Sequence, residues 1–449
     1  MATQFNVRVL AAAEASALAT EIARIESYPE RVAATTGKGI FRVVRVDQLS
    51  YVAAIIVKQE LLALDADGVI SPAVYLGDRA ATTDMVIFAT LRQYRSLVER
   101  LAAFPLDELH GLAAQLAATF TAYDATERGS LAVRGRAFRW GERTYIMGIL
   151  NITPDSFAGD GLARDGDTDV VVRAVARAQH FAASGADLLD VGGESTRPGA
   201  RQVDADEERA RVLPVIAALR QALDLPISVD TWKAEVAAAA LDAGADLVND
   251  VWGLRLPGGG WNKALARLVS ERQVPIIIMH NRRAQPTVVE IGHYRHVAYT
   301  DLLGEILREL RESIQFALDH GIQPEKIIVD PGPGFGKTPT HNIELLRRFS
   351  EFKSLGYPLL LATSRKSFIG LALGGVPPHE RVEGTAATAA LGIQAGADIV
   401  RVHDVASIAR VARMTDAIIR PGAWQRLTTA DAPATAGSAE QQDAQATSE

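Results

Sequence analysis

From about Tyr145 onward the chain repeats one theme: a short, almost wholly apolar run, then a longer amphipathic segment. The runs are TYIMGILN, DLLDVGG, PISVDT, LVNDV, PIIIMH, KIIVDPG, PLLLATS and IVRVHDV. Between them, DVVVRAVARAQHFAAS, KAEVAAAALDA, DLLGEILRELRESIQFALDH and TAATAALGIQA carry apolar residues at helical spacing. Short apolar strands alternating with helical segments predict parallel strands joined by crossovers. Eight such units over roughly 280 residues match a (β/α)8 TIM barrel in count and length.

A weak internal echo supports this reading. SGADLLDVGG, AGADLVNDVWG and AGADIVRVHDV each place a glycine, then Ala-Asp, before a strand, so Gly185, Gly244 and Gly396 are expected to take the left-handed conformation that ends a helix. Residues 1–138 differ. FNVRVL, FRVVRV, GVISPAVY and TDMVIFAT read as strands and SYVAAIIVKQELLALDA and ATLRQYRSLVERLAAF as helices, which predicts a small α+β domain before a barrel at 139–426. Residues 427–449 have almost no large apolar side chains and read as a disordered tail. Across the 449 residues the formal net charge is −7 without a Lys/Arg run, which argues against nucleic-acid binding. The chain has no cysteine, no run long enough to span a membrane and no basic-then-apolar leader, so a soluble cytoplasmic protein is expected.

In a barrel of this kind the working residues lie where the strands end, because the loops there form the open face above a packed interior. Every expected end is polar: Asn151; Glu194, Ser195, Thr196 and Arg197; Asp230 and Thr231; Asn249 and Asp250; His280; Asp330; Ser364, Arg365 and Lys366; Arg401, His403 and Asp404. Any one of these has a bland reading as a helix cap or turn former. Together they suit a donor-rich heterocycle beside the amides and carboxylates, and a phosphate or pyrophosphate beside Lys366, Arg197, Arg401 and His403.

At these residues the chain closely resembles the dihydropteroate synthase family. The resemblance rests on IMGILNITPDSF, GADLLDVGGESTRPGA, PISVDTWKAEVAAAALDAGADLVNDV, IIVDPGPGFGKT, TSRKSFIG and RVEGTAATAALGIQAGADIVRVHDV, and it covers about residues 143–420. It implies condensation of 6-hydroxymethyl-7,8-dihydropterin pyrophosphate with 4-aminobenzoate in folate synthesis, release of pyrophosphate with Mg2+ present, sulfonamide inhibition and a homodimer. Carried over residue by residue, it implies pterin binding by Asp230, Asn249 and Asp330. A carboxylate can accept two parallel N–H bonds from an aminopyrimidine edge, and an amide can both donate and accept. Lys366 resembles the lysine shared by the pterin and aminobenzoate subsites, and Phe335 and Ser364 resemble residues lining the latter. Arg401 and His403, two apart on a strand and so on one side, resemble the pyrophosphate binders. Asn151 resembles the residue that helps hold Mg2+, an ion that rides on phosphate oxygens and needs no carboxylate cage. The loops SFAGDG and STRPGA, the latter with Thr196, Arg197 and Pro198, resemble the family's two mobile loops.

Some positions depart from the family pattern: Asn281-Arg282-Arg283 after His280, Pro333 before Gly334, Ala362 before the SRK turn and Trp252 after VNDV. GPGFGKT is not a phosphate loop, since Pro331 stands where that motif needs glycine. Two rival functions remain: a pterin-binding barrel that moves methyl groups from methyltetrahydrofolate to a corrinoid, and a non-catalytic barrel acting as a binding partner. The first would not require SRKS, STRPG or the RVHD pair, and only the Asn281 and Ala362 departures support the second.

Overall fold

The computed structural model describes residues 6–10, 15–26, 28–125, 128–153, 170–195, 203–282, 289–290, 293–420 and 423–424. They divide into two compact units, Met1–Ala125 and Thr126–Glu449.

The first unit begins with α1 (Ala15–Ala23) and α2 (Pro29–Gly39), followed by β1 (Phe41–Ser50), α3 (Tyr51–Leu62), β2 (Asp67–Val69), α4 (Pro72–Tyr75), β3 (Thr82–Thr90), α5 (Leu91–Ala102) and α6 (Asp107–Asp124). Its three strands form an antiparallel sheet in the order β1-β3-β2. Alternation places Met85, Ile87 and Ala89 of β3 in one core with Val57 and Leu61 of α3, Leu97 of α5 and Leu109 of α6. Two sequence expectations change here. Asn6–Leu10 lie in no strand, with Val7 and Val9 exposed. In GVISPAVY the strand ends at Val69, because Ser71 caps a helix by accepting from the Val74 N–H and Pro72 occupies its first turn.

The second unit opens with a hairpin, β4 (Ser130–Val133) and β5 (Arg136–Arg139), and then alternates strands and helices. These are β6 (Tyr145–Asn151), α7 (Val170–Ala183), β7 (Leu188–Gly192), α8 (Ala205–Ala222), β8 (Ile227–Asp230), α9 (Ala234–Asp242), β9 (Leu247–Asp250), α10 (Lys263–Arg272) and β10 (Ile276–Met279). A small pair, β11 (Val289–Glu290) and β12 (His293–Tyr294), intervenes before α11 (Leu302–Asp319), β13 (Ile327–Asp330), α12 (Pro339–Arg347), β14 (Leu360–Leu361), α13 (Ser367–Ala372), α14 (Val382–Gln394), β15 (Ile399–Val402) and α15 (Val405–Ile419). Eight parallel strands run in the order β13-β10-β9-β8-β7-β6-β15-β14, and a parallel bridge from Val329 to Leu359 joins the two ends. The expected (β/α)8 barrel is therefore present. Gly185, Gly244 and Gly396 have φ of +96°, +112° and +110°, as the helix-stop reading requires.

Alternate residues of each strand face outward or inward. The outward set, including Leu189, Val191, Val229, Val248, Ile278, Val329 and Val400, packs against the helices. The inward set at the start of the strands, Tyr145, Met147, Leu188, Leu247, Ile277, Ile328, Leu360 and Ile399, forms a separate apolar cluster with Leu131, Val133, Phe138 and Trp140 of the hairpin region. The hairpin thus closes the barrel's lower mouth. It groups with the second unit, whereas the sequence reading had placed residues up to 138 in the first. Local period could not reveal this, because the hairpin's partners are strands far along the chain. The expected tail at 427–449 lies outside the described residues.

Candidate active site

The alternation that builds the apolar floor also builds the site. Two residues beyond inward Leu188, Leu247, Ile328 and Ile399 stand Asp190, Asn249, Asp330 and Arg401. Asp230 follows Ser228 in the same way, and Asn151 ends β6 beside Gly192. A ring of polar groups thus lies one layer above the packed floor, at the end of the strands where barrel sites occur.

These groups are tied to one another. The Arg401 guanidinium donates through Nε to Asp190 Oδ2 at 2.6 Å and through Nη2 to Asp230 Oδ2 at 2.8 Å. Asn249 Nδ2 donates to the same Asp190 oxygen at 3.1 Å, so its carbonyl oxygen remains an acceptor. Burial, then the charge of Asp190, raises the Asp230 carboxyl well above the usual carboxylate range, with Arg401 opposing. Asp330 is also raised by burial, while Lys366 pulls it down. Its Oδ1 accepts from the Gly332 N–H at 2.7 Å.

Lys366 reaches the cavity from a strained turn. Arg365, just before it, has φ of +57°, in the left-handed region that costs a non-glycine residue. That conformation is held by the Arg365 Nε bond to Asp404 Oδ2 at 2.8 Å and by Arg381 donating to the Arg365 carbonyl at 2.9 Å. Lys366 Nζ then donates to the Pro333 carbonyl and lies 4.8 Å from the centroid of the Phe335 ring. Burial pushes its ammonium down to about 8, with Asp330 opposing. His403 Nδ1 and N–H both engage Ser364 Oγ, at 2.9 and 3.1 Å, which links β15 to the loop after β14.

Not every polar strand end turns inward. Asp250 is one residue past inward Asn249 and so faces outward, where it accepts from the Trp252 and Leu254 N–H groups at 2.9 and 2.6 Å. Burial pushes its carboxyl up to about 7. Arg365 and Asp404 neutralise each other, and His280 engages Glu309 at 2.9 Å. Glu194 accepts from Lys233 at 2.6 Å. Asp230, Asn249, Asp330, Lys366 and Arg401 neighbour one another, His403 is tied to Ser364, and Asn151 is half-buried at its strand end. Thr196, Arg197 and Pro198, with the SFAGDG loop, lie outside the described residues.

The departures have structural places. Arg282 donates from Nε to Glu309 at 2.9 Å and from Nη2 to Glu305 at 2.5 Å, with its guanidinium 4.2 Å from the Tyr299 ring centroid. Asn281 Nδ2 donates to the Val251 carbonyl at 2.7 Å. Trp252 is buried with Val251, Met279 and Phe335, so its bulk fills space beside Phe335. Ala362 joins the apolar interior of the barrel.

Sequence reading missed Asp190, which holds Arg401 and Asn249 and has one buried oxygen, Oδ1, without a hydrogen-bond partner. A carboxylate two residues past an inward leucine was the available signal. It also missed Lys337, fully buried with its Nζ 2.8 Å from His280 Nδ1. Among the described residues, no group of three or more His, Asp or Glu side chains could hold a metal ion.

Comparison with known proteins gives the same picture. A family model described as pterin binding enzyme matches residues 147–403. A dihydropteroate synthase of Clostridium beijerinckii is 46% identical over 65% of this chain and 100% of its own length. A probable bifunctional folylpolyglutamate synthase/dihydropteroate synthase of Halobacterium salinarum is 40% identical over 88% of this chain but only 45% of its own length. Among solved structures, the Xanthomonas albilineans dihydropteroate synthase with 4-aminobenzoic acid is 39% identical, with a TM-score of 0.57 over 64% of this chain and 97% of that one.

Proposed function

The chain belongs to the pterin binding enzyme family, and from that premise we infer how its barrel performs the dihydropteroate synthase reaction, a transfer that joins 6-hydroxymethyl-7,8-dihydropterin to 4-aminobenzoate. The C–O bond of the pterin pyrophosphate breaks and its electron pair leaves with pyrophosphate. The aromatic amine then bonds to the methylene carbon and loses a proton. The observation that carries the assignment of residues is the inward layer of Asp190, Asp230, Asn249, Asp330 and Arg401 with Lys366 and Phe335 beside it.

Asp330 and Asn249 are proposed to take the aminopyrimidine edge together with Asp230. The two carboxylates also stabilise the cationic character that develops on the pterin methylene. Arg401, spanning Asp190 and Asp230, and His403, fixed by Ser364, are proposed to face the leaving pyrophosphate. Lys366 and the Phe335 ring form the wall between pterin and aminobenzoate, and an aromatic there packs on the incoming ring. Thr196, Arg197 and Pro198 are proposed to bind the substrates. Mg2+, with Asn151 among its ligands, would neutralise charge on the leaving group when bound.

The direct test is pyrophosphate release. It is expected only when pterin pyrophosphate and 4-aminobenzoate are both present, and absence of turnover by the intact protein under those conditions rejects the reading. A homodimer is proposed from Leu391 on α14 and Met414 and Ile418 on α15, which are exposed at 62%, 60% and 70% on two neighbouring helices. Light scattering should return about twice the 48.1 kDa chain mass; a monomer at assay concentration removes the proposal.

Removing the first unit should leave the chemistry intact. A protein starting at residue 126 is expected to retain its kcat, whereas one starting at 139 loses Leu131, Val133 and Phe138 from the barrel floor. Deleting several buried apolar side chains at about 2–5 kcal/mol each should make the shorter protein unfold at markedly lower urea. Equal urea midpoints would show that the hairpin contributes nothing to the barrel.

A further inference from the structure

Beneath the wall formed by Phe335 and Lys366 lies a buried polar chain that the reaction itself does not use. Lys337 is 1% exposed, and its Nζ donates to the carbonyls of Gly332 at 3.0 Å and Phe335 at 3.1 Å and to His280 Nδ1 at 2.8 Å. His280 Nε2 in turn meets Glu309 Oε2 of α11 at 2.9 Å, and Glu309 is also held by Arg282. The loop between Asp330 and Lys337 is fixed at its other points too: Gly334 N–H donates to Asn342 Oδ1 at 2.6 Å, and Tyr299 Oη donates to the Gly336 carbonyl at 3.0 Å. Gly332, with φ of +65°, lies so close to the His280 carbonyl oxygen that a side chain there would clash.

Counting protons assigns the state of this chain of groups. Burial would raise the Glu309 carboxyl, but the bonds from His280 and Arg282 hold it well below the usual carboxylate range, so it is ionised and accepts. Burial, then the neighbouring Lys337, pushes His280 down to about 3, so its ring is neutral and carries one proton. An ionised Glu309 requires that proton on Nε2, which leaves Nδ1 as an acceptor. Lys337 Nζ is then surrounded by three acceptors. Burial draws its ammonium well below the usual lysine range, with Asp330 opposing. The three acceptors nonetheless match its three hydrogens and leave no donor for an amine lone pair.

We propose that Lys337 is a positioning residue for the aminobenzoate subsite: its ammonium, braced through His280 against Glu309, staples the carbonyls of Gly332 and Phe335 so that the Phe335 ring and the Pro333 carbonyl hold Lys366 at the incoming ring. Asp330 and Asn249 belong to the rigid strands β13 and β9, whereas Phe335 and Pro333 belong to the loop that Lys337 ties down. Loss of the staple therefore acts chiefly on the amine substrate. The proposal rests on the synthase reading given above.

Four measurements test it. Lys337→Met, which keeps length and removes all three donors, is expected to raise the KM for 4-aminobenzoate by about tenfold or more, the effect of losing bonds from a charged donor. The Kd of the protein for 6-hydroxymethylpterin, read by calorimetry, should change by less than about threefold, and sulfonamide binding should fall in parallel with the aminobenzoate KM. A folded variant with an unchanged aminobenzoate KM, or with equal losses for both substrates, overturns the assignment. Because Lys337→Met removes a buried hydrogen-bonded group and could fail to fold, nitrogen-15 NMR of His280 in the intact protein gives a second reading. A neutral ring protonated on Nε2 between pH 6 and 8 is expected, and a ring protonated on Nδ1 or on both nitrogens overturns the relay. The NMR result needs no substrate, so failure of the synthase reading, seen as wild-type protein without turnover, stays distinct from failure of the relay.

Discussion

Lys366→Ala is expected to lower kcat/KM by about 10²–10³-fold, the range seen when one fixed group facing developing charge is removed. The lysine forms part of the aminobenzoate wall: its Nζ is bound to the Pro333 carbonyl and lies over the Phe335 ring. Its loss also takes from Asp330, already raised by burial, the foremost of the charges that favour its ionised form. That loss shifts Asp330 further toward its protonated form, a weaker acceptor for the pterin. The fold should be little affected. Lys366 sits at the N-cap of α13 without a side-chain capping bond, so truncation removes no helix partner. Since burial has brought the ammonium down to about 8, turnover of the intact enzyme should fall as pH rises through that value. Lys366→Arg, charged throughout, should lose that alkaline limb. Melting curves and pH profiles of the three proteins decide the matter, and an alanine variant within tenfold of the wild-type rate would remove Lys366 from the chemistry.

Asp230→Asn should weaken binding of the pterin pyrophosphate by about tenfold or more, the loss of at least one charge-assisted hydrogen bond. The side chain keeps its shape, so packing is not the cause. What disappears is the acceptor charge, and with it one of the two carboxylates that hold Arg401; Asp190 alone then orients the guanidinium. The sign of the pH effect follows from burial and the Asp190 charge, which raise the Asp230 carboxyl. As pH falls, Asp230 protonates earlier than an exposed aspartate, so pterin affinity of the unmodified enzyme should decline on the acid side. The asparagine variant should be flatter there. Calorimetry that returned equal affinities for both proteins across pH would reject Asp230 as a pterin acceptor.

The barrel was legible because its signal is local. A buried strand needs apolar residues, and a crossover helix needs an apolar stripe; both leave periodic marks in the chain. The polar ends of the strands were equally visible, but their direction was not uniform. Asn249 and Asp250 are neighbours, yet one faces the axis and the other caps the next loop. Arg282 departs from the family pattern, and its carboxylate partners Glu305 and Glu309 come from α11, a helix that begins beyond residue 300. Asp190 stood inside an apolar run and was passed over, although it holds Arg401 across 211 residues of sequence.

The alternation of strands and helices in the barrel, the glycines that stop helices and the polar character of the strand ends were set by residue type and spacing, since these depend on backbone preference and polarity within a few residues. Which carboxylate meets which cation was decided only when the barrel closed. Asp230 and Arg401 are 171 residues apart and 2.8 Å distant in space, and the buried setting that raises Asp230 and Asp330 and lowers Lys366 exists only in that enclosure. Proton affinity depends on the local dielectric and on neighbours brought from elsewhere in the chain. The hairpin under the floor and the Lys337 staple beneath Phe335 belong to the same class of facts.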